Sequence, residues 1–169
     1  MKKYSVVIFL LAIFLASCNT DRSIDPTVMP EESAIGAQTF GCLVDGWLYI
    51  GGRYSKLYGT FDPQGSIQFI YDAVSNNMNV EVKVKAKGKT YEYIAFTINN
   101  PIKGENCTFT NARWLDKENN LDIALGNGTG TVEIIQFDKS EKVFSGRFYS
   151  GNKNGDGIIT HGQFDVKYQ

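Results

Sequence analysis

Residues 78–87, Met-Asn-Val-Glu-Val-Lys-Val-Lys-Ala-Lys, place an apolar side chain at every second position. Successive side chains of a strand point to opposite faces, so the segment reads as a half-buried antiparallel strand with Lys and Glu turned to water. Gly88-Lys89 then turns the chain, and 91–98 returns with Ile94, Phe96 and Ile98 on one face, the pattern of a hairpin. Asp45-Gly46 separates 39–44 from 47–50 and suits a tight type I′ turn, in which both central residues take positive φ.

The same alternation marks 54–61, 66–74, 107–115, 121–125, 131–137, 143–149 and 158–167, separated by turn residues such as Pro63-Gln64-Gly65 and Ser75-Asn76-Asn77. No stretch beyond the first 17 residues shows a sustained helical apolar period, and no internal repeat is evident. About nine or ten short strands in one domain predict an all-β, antiparallel two-sheet β-sandwich, with a barrel as the second choice.

The amino end sets where such a domain would reside. Lys2 and Lys3 precede the apolar run 4–15, which is too short for a helix spanning a bilayer, since that takes about 20 residues. It fits the hydrophobic part of a secretory signal. Leu15-Ala16-Ser17-Cys18 resembles a bacterial lipobox, which implies cleavage after residue 17 and acylation of Cys18. Two or three acyl chains, at about 0.8 kcal/mol per buried methylene, anchor a protein stably where one does not. The expected organisation is a signal peptide over 1–17, a lipidated Cys18 with a flexible tether over 18–37, and one β domain over 38–169. The expected location is the cell envelope, with the outer membrane favoured. The segment 19–37 holds two of the chain's four prolines, four acidic residues and neither periodicity, which is tether composition.

Removing Lys2 and Lys3 leaves 15 basic and 18 acidic residues, a net charge of −3 for the mature chain. That balance offers no electrostatic footprint for nucleic acid, so attachment to a membrane rests on the lipid. With Cys18 acylated, Cys42 and Cys107 remain. Export is compatible with a disulfide between them; two separate buried thiols, or a nucleophile paired with His161, are the other readings.

His161 is the chain's single histidine and falls on the polar parity of the last strand, with no G-x-S-x-G motif to accompany it. Asn152, Asn154, Asp156 and Gln163 have the spacing of a calcium loop, but with one acid and no terminal Glu the segment reads first as a polar turn. Neither a metal nor another cofactor is expected. Trp47, Tyr49, Tyr54, Tyr58 and Trp114 could form an aromatic platform for a glycan or peptide; ordinary core packing is the competing role.

The folded body resembles a family of Bacteroidota cell-envelope lipoproteins catalogued as a domain of unknown function. The resemblance rests on Thr39-Phe40-Gly41-Cys42-Leu43-Val44-Asp45-Gly46 at one end. At the other it rests on 132–138, Phe144-Ser145-Gly146-Arg147-Phe148 and 159–166, Ile-Thr-His-Gly-Gln-Phe-Asp-Val. It implies an envelope β-domain and carries no catalytic residue. The expected function is a non-enzymatic binding or scaffold domain whose partner is a glycan or an envelope protein. A structural subunit or inhibitor acting through sheet edges is the first alternative, and a small polysaccharide hydrolase the second.

Overall fold

The computed structural model describes residues 28–52, 67–85, 92–117, 119–151 and 157–169. Ten strands follow one another: β1 Thr39–Val44, β2 Trp47–Gly52, β3 Ile67–Asp72, β4 Asn77–Lys85, β5 Glu92–Asn99, β6 Asn106–Asp116, β7 Leu121–Ala124, β8 Gly130–Asp138, β9 Val143–Tyr149 and β10 Ile159–Lys167. β5 shows why they form, with Glu92, Ile94, Phe96 and Ile98 buried and the residues between them half-exposed. The β1–β2 turn is the expected one, with φ of 50° at Asp45 and 75° at Gly46. The segment 54–61 falls outside the described residues.

The sheet is one closed barrel, which corrects the two-sheet sandwich. All pairings are antiparallel and the ring runs β2-β1-β10-β9-β8-β6-β5-β4, closed by Ile50↔Lys85 and Gly51↔Val84 between β2 and β4. Two ring positions are each shared by two strands in tandem. β4 offers one edge to β2 near its end and to β3 along 77–82; β6 likewise pairs β8 through 106–109 and β7 through 113–116. The barrel is therefore an up-and-down meander of eight positions. The free edge of β3 is taken by the carboxyl-terminal residue, whose amide and carbonyl bond Phe69 and Tyr71.

Strand alternation serves a sandwich and a barrel equally well, so it does not choose between them. What decides is a short seam. Gly51 lies where a Cβ would run into the Val82 side chain, so a glycine there lets β2 approach β4.

The interior is packed with side chains, as expected when about eight strands close. Phe40, Phe96 and Phe148 have ring centroids 5.1–6.5 Å apart, and Phe164 stacks on Phe144 at 5.0 Å. In the β9–β10 ladder Gly162 pairs with Phe148 and Gly146 with Phe164, so each strand offers a glycine opposite its neighbour's phenyl ring. A Cβ on Gly162 would lie 2.7 Å from the Phe148 ring, and one on Gly146 2.9 Å from the Phe164 ring. These are two of the glycines in the motifs that carry the family resemblance, and their role here is to make room for aromatic core.

The described part of the expected tether, 28–37, is docked along the outer wall of β10 and β9. Asp165, 1% exposed, accepts hydrogen bonds from Ser33 Oγ and from the amides of Ile35, Gly36 and Ala37. Glu32 pairs with Arg147 at 2.7 Å, and Gln163 donates to the Pro30 carbonyl. A Cβ on Gly41 would meet Met29 and Pro30, which lie over it. Composition signalled a spacer, but the partner of its backbone amides is a carboxylate about 130 residues later.

Candidate functional site

Four adjacent strands, β3 to β6, turn their outward side chains into one concave face. It forms a groove of about 480 Å³. The register places the lining residues. Gln68 is opposite Glu81 and Ile70 opposite Asn79 between β3 and β4; Glu81 then faces Ala95, and Asn79 faces Thr97, in β5. Ala95 pairs with Arg113 in β6, and between Arg113 and Thr110 that strand carries an extra residue. Asn111, at φ 57°, lies in this bulge and lines the groove. The loop after β7 braces the bulge: Ala112 bonds the Gly128 carbonyl through its amide and the Leu125 amide through its carbonyl.

The groove is lined by three side-chain amides, one hydroxyl and two charged groups, and its charges are paired. Asn79 accepts a hydrogen bond from Thr97 at 3.2 Å. Glu81 meets Lys117 at 2.6 Å and Arg113 meets Asp122 at 2.8 Å. Lys117 also lies 4.0 Å from the centre of the Tyr93 ring. Ile70 contributes an exposed apolar surface. Such a face can hold a neutral polar molecule through amide and hydroxyl hydrogen bonds, and its volume falls in the range of about 300–1,000 Å³ typical of small-molecule sites.

Of the aromatic residues singled out from the sequence, the three that are described, Trp47, Tyr49 and Trp114, do not line this groove. Tyr49 is buried in the barrel, its ring 6.1 Å from Trp114 and edge-on to it, and Trp114 packs partly buried against the core. Burial first, and then the nearby Glu92 and Cys42, push the Tyr49 phenol above its ordinary range. Trp47 stands 70% exposed beside the β1–β2 turn. Tyr54, Tyr58 and Cys18 lie outside the described residues.

Cys42 and Cys107 are free thiols, so the disulfide considered above is not formed. They sit on β1 and β6, four positions apart around an eight-position ring and hence on opposite walls. Burial raises both, Cys42 strongly and Cys107 to about 11. Neither is activated as a nucleophile, which needs a depressed value. His161 is exposed in β10 at φ 50°, where the β1–β10 register shifts.

Asn152, Asn154 and Asp156 lie outside the described residues. Gln163, their proposed fourth partner, is engaged with Pro30 on the barrel wall. It is also four residues along β10 from the hairpin end, so the loop spacing does not describe its surroundings. Among the described residues no group of three or more His, Cys, Asp or Glu is placed to hold a metal ion.

No family model, curated protein or solved structure matches the chain.

The groove residues escaped notice because each reads, within its own strand, as an ordinary water-facing side chain. Asn79 and Glu81 are on the polar parity of the clearest strand in the chain. That parity says which residues leave the core. It does not say that four such rows curve toward one another.

Proposed function

We propose that this chain is an envelope lipoprotein of the family it resembles, anchored through Cys18 and favouring the outer membrane, whose barrel binds a neutral polar ligand in the β3–β6 groove. A glycan is the ligand class best suited. The observation that carries the reading is the groove's composition: amides from Gln68, Asn79 and Asn111, a hydroxyl from Thr97, and two charged liners each balanced by a partner. Paired charges leave little net field to attract an ion, while amides and hydroxyls match the alternating donors and acceptors of a sugar. An open groove of this kind gives affinities of about 10⁻³–10⁻⁵ M, since little ligand area is desolvated.

A binding role is preferred to hydrolysis because Glu81 is the single carboxylate among the described lining residues, whereas glycoside cleavage ordinarily uses two facing carboxyl groups. One observation favours a second reading, strand addition by a protein partner. β7 pairs with β6 and all four of its residues are exposed, so it retains an edge where ring closure has consumed most others.

The test is a glycan and peptidoglycan-fragment array on residues 19–169, with Asn79→Ala and Arg113→Ala beside the parent. Saturable binding weakened tenfold or more by either change supports the groove. Binding lost on Trp47→Ala instead would move the site to the barrel's end. A blank array with a peptide bound through β7 would favour strand addition.

A further inference from the structure

One end of the barrel carries three exposed apolar side chains, set among polar turn residues, that the groove reading does not use. β1, β6 and β9 finish at this end, and β2, β7 and β10 begin there. Trp47 has the same strand parity as the inward-facing Tyr49 and lies two residues closer to the rim; it is 70% exposed. Ile123 pairs with Trp114, and Leu121 lies two residues farther out; they are 47% and 51% exposed. Below Trp47 and Leu121, and level with Ile123, the Tyr49–Trp114 pair fills the barrel. The three exposed side chains thus stand around a floor that is already packed, and core filling does not account for them.

The chain upstream of β1 indicates what they face. Gly36 lies beside Lys167 at the opposite end; Ser33 bonds Asp165; Met29 and Pro30 lie over Gly41, at the level of Gln163. Followed backward, the docked segment therefore climbs toward the rim that carries Trp47. Trp47 is paired with Val44, three residues above Gly41, so the wall rises about 10 Å between them. Nine residues lie between Cys18 and Val28, and the ten steps from one to the other reach at most about 35 Å when extended. The leash is long enough for the rim to touch the bilayer holding the acyl chains, and short enough to keep it near.

We propose that Trp47, Leu121 and Ile123 form a membrane-resting rim, which seats the barrel end-on against the neutral lipid surface in which Cys18 is anchored. The proposal rests on acylation of Cys18. Tryptophan favours the headgroup boundary, where its ring is part apolar and part polar, and Leu and Ile add buried area beside it. A mature chain of net charge −3 has no attraction to an anionic surface, which makes a zwitterionic lipid the matching partner. Seated in this way, the barrel carries the β3–β6 groove on its side wall, exposed to solvent.

The test uses the lipidated mature chain in phosphatidylcholine vesicles with brominated or ordinary acyl chains. Trp114→Phe leaves Trp47 as the sole tryptophan, and its emission is expected to fall by about half with brominated lipid. A second chain keeps Trp47 and carries Val74→Cys, the exposed thiol alkylated with a fluorophore that bromine quenches; it reports the opposite end and is expected to be unaffected. Unquenched Trp47, or quenching at position 74, overturns the rim while leaving the anchor intact. A bare Cys18 thiol by mass spectrometry of the amino-terminal peptide overturns the anchor and the rim together.

Discussion

Asp165 Oδ1 accepts a hydrogen bond of 2.7 Å from the Gly36 amide, tying the last strand to a segment that precedes the first. With its other oxygen the same carboxylate holds Ser33, Ile35 and Ala37. Asp165→Ala would leave three amides and a hydroxyl under partial cover without an acceptor. The expected cost is about 2–4 kcal/mol, measured by denaturant unfolding. Limited proteolysis should then cut within 28–37 well before the barrel. Unchanged stability together with a protected segment would show that the carboxylate does not hold the strap.

The thiols give a second prediction. Native protein should have two free thiols after Cys18 and lack the mass change of a bridge. Cys107, raised from 9.0 to about 11, should alkylate at pH 8 about a hundredfold more slowly than an unperturbed thiol, because only the thiolate reacts. Cys42 should label only through unfolding. Rapid labelling of both in native buffer would contradict the burial described for β1.

A third concerns the reciprocal glycine–phenylalanine pairs. Gly146→Val would push a branched side chain toward the Phe164 ring and the Glu133 carbonyl, 2.5 Å from the added Cβ. The expected loss is about 1–3 kcal/mol from overpacking, seen as a lowered Tm. Phe148→Ala should cost about 3–5 kcal/mol by leaving a cavity at the middle of the aromatic cluster. If Gly146→Val is neutral, the glycine is not making room for the ring.

The β8–β9 turn supplies a pH dependence. Hydrogen bonds from Ser140 Oγ, and then from the amides of Glu141 and Ser140, hold the Asp138 carboxyl below its ordinary value. A depressed carboxyl stabilises the fold above its unfolded value, and this contribution is lost as pH falls through the folded one. The amide resonances of Ser140 and Glu141 should therefore move on the acid side of pH about 3.9, and Asp138→Asn should abolish the movement. Movement centred above that value would reverse the sign.

Period-two alternation places every strand from β1 to β10, and β1 and β9 have the expected bounds of 39–44 and 143–149. Asp45-Gly46 makes the expected turn. Closure was not legible, because it depends on two residue pairs between β2 and β4 and on a missing side chain at Gly51. Neither changes the parity of any strand. The docking of 28–37 was hidden for another reason: its backbone donors find an acceptor at Asp165, and local composition reports only local preferences. The groove was hidden by the same locality, since Gln68, Asn79, Thr97 and Asn111 meet only through the register of four strands.

The up-and-down order of the ring has a consequence for how the chain is made. Nearly every strand pairs with one close to it in sequence, so successive hairpins can zip together as the chain emerges amino end first. The exception is β1, which needs β10 on its second edge. A chain that emerges amino end first must therefore hold an open, curling sheet until residue 167 is free, with β1 and the newest strand both unsatisfied. Any truncation that removes β10 leaves two complementary edges on every molecule, the arrangement from which head-to-tail aggregates grow.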